Sequence, residues 1–508
     1  MEIDRILKPD AFVYFVGIKG TGVCAFAELM HNNGIKVSGS DINEVFYTDA
    51  ILDELKISYH EGFDSSHIES GIDLIIHSAA YSADTNPELA RAQELGIPAV
   101  KYTDALGEWS AKFDSTGICG VHGKTTTTAI CGVMMRAASL PAQILAGSAS
   151  VDFEKPFPCG DNIDTSRMSG RSTLNLGNKY FIAETCEYRN HFLSFRPRRI
   201  ILTSVESDHQ DFFPTYESIR DAFVQYCRLL PDDGQLFYCA DDPGAVETAQ
   251  IIKNDNRGIE LVPYGFTADG GFKITSYNIK DKKAVFSIAG FPDPITMNIP
   301  GRHEALNTAA ALALTISLAR EESGTLNANI LTEGQIKSIK EALAGFESTK
   351  RRSEVFGEVS GIIFMDDYGH HPTAIKTTLE GIKSFYPSRR LVVSFMSHTY
   401  TRTSALLDRF AQCFNDADVL FLHKIYASAR ENYKGGVNGR TLYEKTSAVR
   451  SALGDIKKET YYIDEVDDAF KPLCEILKSG DIFVTLGAGS NRPLGEKLFA
   501  HFKEVENG

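Results

Sequence analysis

No apolar run in these 508 residues approaches the ~20 that a bilayer-spanning helix needs, so membrane insertion is not expected. The opening stretch MEIDRILKPDAFVYFVG lacks the basic start and long apolar core of a secretory leader. Nine cysteines, an odd number with no C-x-x-C spacing, provide neither a disulfide framework nor a zinc ribbon and read as reduced thiols. Basic residues are in deficit, 52 Lys and Arg against 67 Asp and Glu, for a formal net charge of -15. A nucleic-acid-binding surface is therefore not expected. Repeats, heptads and low-complexity tracts are missing as well. What remains is an ordinary globular composition, 43% hydrophobic and 23% charged. Together these features predict a cytoplasmic protein of roughly two to four domains.

Short apolar runs alternate with helical patterns, which predicts α/β architecture with parallel sheets. AFVYFVG, IKVSGSD and DLIIHSAA read as strands of a first unit that closes near residue 110. A second unit holds the strands KYFIAET and RRIILTSV and the long helix within PGRHEALNTAAALALTISLAR. A third begins at EVFGEVSGIIFMDDYGHHPTAI and continues through RLVVSFMS, ADVLFLH and DIFVTLGAGS. The expected domains are 1–110, Rossmann-like; 111–325, a P-loop ATPase-like α/β unit; and 326–508, again Rossmann-like.

Two glycine turns carry the first chemical signal. STGICGVHGKTTTTAI (115–130) runs from a strand through Gly120, His122 and Gly123 to Lys124, Thr125 and Thr126 at a helix start. Only two residues separate the glycines, so the loop is shorter than the usual phosphate loop. The order of parts still suits a triphosphate: glycines admit backbone amides, Lys124 reaches the β/γ oxygens, and the Thr125 hydroxyl can ligate Mg2+. GIKGTG places Gly17, Gly20, Thr21 and Gly22 at a second strand-to-helix turn, with Asp41 ending the next strand. That pattern suits a pyrophosphate at a helix N-terminus, with the acid on a ribose hydroxyl. A tight turn needing small residues explains it equally.

Acids and histidines gather at later strand ends: Glu184 and Glu187 in AETCEYRNHFL, and Glu206, Asp208 and His209 in SVESDHQDFF. Beside an ATP loop such groups are placed as magnesium ligands. DDYGHHPTAI sets His370 and His371 before a helix-starting proline, where hydrogen bonding to substrate or positioning of the helix is expected over metal binding. Arg402 in SHTYTRT suits a carboxylate or a phosphate.

In GVHGKTTT, PGRHEALNTAAALA, DDYGHHPTAI, YTRT, IYASARE and LGAGS, taken in this order, the chain resembles the Mur ligases of bacterial cell-wall synthesis. The family's own ATP loop reads G-x-H-G-K-T-T-T, which accounts for the short glycine spacing. The resemblance implies an ATP-dependent, Mg2+-requiring enzyme of peptidoglycan precursor synthesis. It would join L-alanine to the carboxylate of UDP-N-acetylmuramate through an acyl phosphate, as a monomer or homodimer. The alternative within the family adds a recovered murein tripeptide instead. The implied roles are the UDP-sugar at Gly17, Gly20, Thr21, Gly22, Asp41 and Ser78, and ATP at the glycine loop with His303 and Asn307. Lys124, Glu184 and His209 would be catalytic; Thr125, Glu184 and His209 would be metal ligands. His370, His371 and Arg402 would serve the amino acid and closure. Glu304, Ser397, Thr399 and Ser490 depart from the family pattern, and most of these changes fall on the amino-acid side. Two rivals from other classes are a nicotinamide-dependent oxidoreductase built on GIKGTG and an idle nucleotide-binding protein.

Overall fold

The computed structural model describes residues 8–156, 168, 170–324, 330–427, 431, 435–454, 458–489 and 491–507. Ser490 and residues 428–430 of the IYASARE block lie outside the described residues. The first sheet is parallel: β1 (Phe12–Val16), β2 (Lys36–Asp41), β3 (Tyr59–Glu61), β4 (Leu74–His77) and β5 (Ala99–Lys101), in the order β3-β2-β1-β4-β5. Chain order reverses across β1. Such a switch point opens a crevice beyond the carboxyl end of the strand, and GIKGTG occupies it.

The second sheet comprises β6 (Asp114–Cys119), β7 (Ala142–Ser150), β8 (Arg171–Asn175), β9 (Tyr180–Glu184), β10 (Arg199–Leu202), β11 (Gln235–Cys239) and β12 (Glu260–Tyr264), in the order β12-β11-β10-β6-β9-β7-β8. Only β8 runs antiparallel. β6 is the switch strand here, and the GVHGKTTT loop leaves its end. All four residues of β10, Arg-Ile-Ile-Leu, are buried, as expected of a strand covered on both faces. The helix Lys124–Ala137 and the alanine-rich helix Arg302–Ser323 cover one face, and small side chains let them pack closely, with the Thr315 hydroxyl on Met134 Sδ at 3.6 Å.

An antiparallel sheet of β13 (Ile274–Lys280), β14 (Lys283–Ile288) and β15 (Ile295–Met297) precedes the long helix. Its mixed, half-exposed residues gave no sign of a sheet in the sequence reading. The last sheet holds β16 (Glu354–Val359), β17 (Ile362–Asp367), β18 (Arg390–Phe395), β19 (Val419–Leu422), β20 (Glu459–Tyr462) and β21 (Asp481–Leu486), ordered β16-β17-β21-β18-β19-β20. β16 pairs antiparallel and the rest parallel. Among the described residues no helix is long and apolar enough to cross a membrane.

Candidate active site

The phosphate loop is shaped by its backbone. Gly120 and Gly123 sit at φ +132° and +80°, where a side chain is strained, and a Cβ on Gly120 would fall 2.1 Å from Thr203 Oγ1. The end of β10 cradles the loop: Ser204 accepts from the Val121 amide on its carbonyl (3.0 Å) and from the His122 amide on Oγ (2.9 Å). Asn307, on the long helix, accepts from Thr127 Oγ1 at 3.1 Å and lies against Gly123. It therefore stands beneath the loop. Glu304 accepts from Asn307 Nδ2 at 3.0 Å and lies 3.3 Å from His303 Nε2, so the departure at 304 is absorbed into one buried network.

Two pairs of side chains divide the loop's chemistry. Thr125 Oγ1 donates to Glu184 Oε2 at 2.7 Å, and the Gly147 amide fixes the same oxygen at 3.0 Å. Lys124 Nζ instead donates to Glu187 Oε2 at 3.0 Å and to the Gly120 carbonyl. His209 Nε2 lies 3.5 Å from Glu187 Oε1. Burial pushes the Glu187 carboxyl up, but Lys124 and His209 overcome it and hold the group down to about 2. Burial works against the Lys124 ammonium, yet Glu187 and Glu184 raise it above its ordinary value. The family resemblance assigns metal and catalytic roles to Glu184 and His209 and leaves Glu187 as a strand-end acid beside them. Glu187, expected with Glu184 among the strand-end acids but given no role of its own by that resemblance, is the partner of His209, and Glu184 is the partner of Thr125. The place of Glu187 three residues past Glu184, on the turn after β9, is the signal that marks it.

The C-terminal sheet closes the cleft from the other side. Arg402 Nε donates to Asp208 Oδ1 at 2.7 Å, with both side chains buried, so the arginine's Nε is committed to the central sheet. Burial pushes Asp208 up, and Arg402 and His209 hold it well below the usual carboxylate range. The two histidines of GHHP separate. His370 Nδ1 turns to the Tyr368 carbonyl (2.9 Å), while His371 caps the helix Pro372–Phe385 and points toward Glu206. Burial lowers both imidazoles, His371 to about 4. Thr399 holds φ +67°, and Ser397 Oγ bonds Thr403 Oγ1 at 2.7 Å. The cleft between the sheets has a volume of about 1280 Å³ and is lined by the phosphate loop, both glutamates, Asp208, His209 and the GHHP histidines.

The N-terminal turn is braced by Asp41. Asp41 is buried, and its carboxylate accepts one amide on each oxygen, from Lys19 (2.7 Å) and Ile42 (2.8 Å). Gly17 (φ +84°) lies against Ser78 and Tyr81. Gly20 N-caps the helix Thr21–Asn32, with Thr21 and Gly22 in its first turn. That helix docks on the central sheet through buried Glu28, which accepts from Thr173 Oγ1 (2.7 Å) and the Ser172 amide (3.1 Å).

A phosphate loop at one switch point, a second glycine turn at another and a third sheet over the cleft define a three-domain nucleotide-dependent α/β protein. Residues 12–114 match the profile "Mur ligase family, catalytic domain", 118–315 "Mur ligase middle domain" and 351–489 "Mur ligase, glutamate ligase domain". The chain belongs to the Mur ligase family. It is 47% identical to UDP-N-acetylmuramate--L-alanine ligase of Treponema pallidum over 97% of each chain. Against the protein of that name from Borreliella burgdorferi it is 38% identical over 94% of this chain and 96% of the other. Among solved structures the fold is similar to UDP-N-acetylmuramate-alanine ligase from Thermotoga maritima, with a TM-score of 0.73 and 21% identity over 97% and 99% of the two chains. It is also similar to a murein peptide ligase from Psychrobacter arcticus, with a TM-score of 0.64 and 22% identity over 97% and 98%.

Proposed function

We propose that this protein is a cytoplasmic, ATP- and Mg2+-dependent ligase that joins L-alanine to the carboxylate of UDP-N-acetylmuramate. On this reading residues 1–110 hold the UDP-sugar, 111–325 hold ATP, and 326–508 hold the amino acid and close the cleft. The observation that carries it is the Lys124–Glu187–His209 cluster beside Thr125–Glu184 in one cleft covered by the third sheet. Full-length relatives named for L-alanine at 47% and 38% identity favour this acceptor over a recovered peptide, for which the likeness is one of fold.

The Thr125 hydroxyl with the Glu184 carboxylate gives the hard oxygen ligands that Mg2+ prefers, and the Glu187 carboxylate, with a single imidazole from His209 beside it, would give a second position. When bound there, the cation supplies positive charge that offsets repulsion between the substrate carboxylate and the γ-phosphate. Lys124 leaves Glu187 for the transferring phosphoryl group, and the first turn of the helix Lys124–Ala137 offers amides to its oxygens. A carboxylate oxygen of the sugar bonds the γ-phosphorus, and the bond to the β-phosphate oxygen breaks. The alanine nitrogen then adds to the acyl carbon, loses a proton, and phosphate departs. The Arg402–Asp208 contact keeps the third sheet on the cleft, so water is excluded while the acyl phosphate exists.

The test is mass analysis of products from ATP, Mg2+ and UDP-N-acetylmuramate, with L-alanine, glycine, L-serine or the murein tripeptide offered separately. A product carrying one alanine, matched by ADP release, is expected. Product with the tripeptide alone would transfer the protein to the recycling reaction. No product with any acceptor would overturn the ligase reading.

A further inference from the structure

Three side chains converge where the central and C-terminal sheets meet, beside the magnesium positions but distinct from them. His122 comes from the phosphate loop, Glu206 from the chain after β10, and His371 from the cap of the helix Pro372–Phe385. One ligand atom from each lies within 4.8 Å of the other two. Glu206 Oε1 makes a short contact with His122 Nε2 and stands 3.4 Å from His371 Nδ1.

Hydrogen bonding fixes which atoms face inward. His371 Nε2 faces the Ser207 carbonyl at 3.2 Å, an acceptor, so Nε2 carries the proton and Nδ1 the lone pair. That lone pair is met only by a long 3.3 Å bond from the Thr373 amide. It faces Glu206 Oε1, the same oxygen that His122 Nε2 meets. The other oxygen of Glu206 is held by Thr373 Oγ1 (3.0 Å) and Arg409 Nη2 (2.9 Å). An imidazole with its far nitrogen on a backbone carbonyl and a carboxylate with its far oxygen tied are the outer partners of a metal site.

We propose that His122, Glu206 and His371 form an inter-domain site for a divalent transition cation of the zinc class. Two nitrogens and one oxygen suit Zn2+, with a fourth position left for water, and disfavour Mg2+, which takes oxygen. Bonds of about 2.1 Å at a tetrahedral angle separate ligands by about 3.4 Å, matching the Glu206–His371 spacing. His122, at 25% side-chain exposure the most open of the three, has room to lengthen its short contact. A cation here ties the phosphate loop to the C-terminal domain, a role the ligase reaction does not require.

The experiment is equilibrium dialysis of the full-length protein with Zn2+ under excess Mg2+ and without nucleotide, so its outcome is independent of ligase activity. His371→Asn keeps a helix-capping oxygen and Glu206→Gln keeps the side-chain shape; each should weaken zinc binding by at least about 10-fold, the scale seen for losing even an outer partner. Thr125→Val and His209→Ala should leave it unchanged. X-ray absorption of the zinc-loaded wild type should give two imidazole nitrogens and a carboxylate oxygen. Equal affinity in the first two variants, loss with His209→Ala, or sulfur in the shell would overturn the site.

Discussion

Glu187 Oε1 lies 3.5 Å from His209 Nε2, while Glu184, three residues earlier, is turned away to the Thr125 hydroxyl. The two carboxylates thus serve different partners. Double-mutant cycles should read this directly. Losses in rate from Glu187→Gln and His209→Ala should be non-additive, with a coupling of about 0.5–3 kcal/mol. Glu184→Gln should couple more strongly to Thr125→Val than to His209→Ala. Equal coupling of His209 to both glutamates would remove the distinction.

Lys124 is the cation nearest the phosphate loop's carbonyls and the partner of buried Glu187. Lys124→Ala should reduce the ligation rate at least ~100-fold, the scale for removing one preorganised charge-stabilising donor. Steady-state ADP release checks this, and a variant within a few-fold of wild type would strip Lys124 of its role.

Arg402 and Asp208 form a buried pair across the two sheets. Asp208→Asn takes away the counter-charge of the buried guanidinium and should cost up to about 3–5 kcal/mol of the closed arrangement. Thermal unfolding should show the C-terminal domain released from the central one at lower temperature. Unchanged melting and unchanged KM for L-alanine would argue that closure rests elsewhere.

Glu28 makes docking of the N-terminal domain dependent on pH. Burial raises its carboxyl from 4.5 to about 7, against the hydrogen bonds from Thr173 and Ser172. The folded state therefore binds the proton more tightly than the unfolded one. The stability this contributes is full below about 4.5 and is lost as pH rises through about 7. Relative to Glu28→Gln, wild type should lose roughly 2–3 kcal/mol across that window and change little above it. Amide exchange at Ser172 and Thr173, followed against pH in both proteins, reads the effect where it arises. A flat difference would show that Glu28 stays charged throughout.

Local signals carried far in the sequence. The phosphate loop was legible because its parts are adjacent: a strand, two glycines, a lysine and threonines at a helix start need only short-range geometry. The strands at 12–16 and 199–202 were legible because burial demands nearly unbroken apolar runs. Asp41 shows the limit of such signals. A carboxylate at a strand end looks the same in sequence whether it turns outward to a ligand or inward to the amides of Lys19 and Ile42. The sheet at 274–297 stayed hidden because Ile274–Lys280 is mostly polar and exposed and carries a register break after Ile274.

By itself, the order of residues determined the three α/β units, the two glycine turns and the chemical types gathered at strand ends, because each depends on neighbours within a few positions. Only the tertiary structure decided that His209 belongs to Glu187, that His370 and His371 part company, and that His122 and Glu206 of the central sheet meet His371 of the C-terminal one. Those pairings follow from how strand ends and helix caps converge across domain boundaries, and sequence spacing carries no measure of that distance.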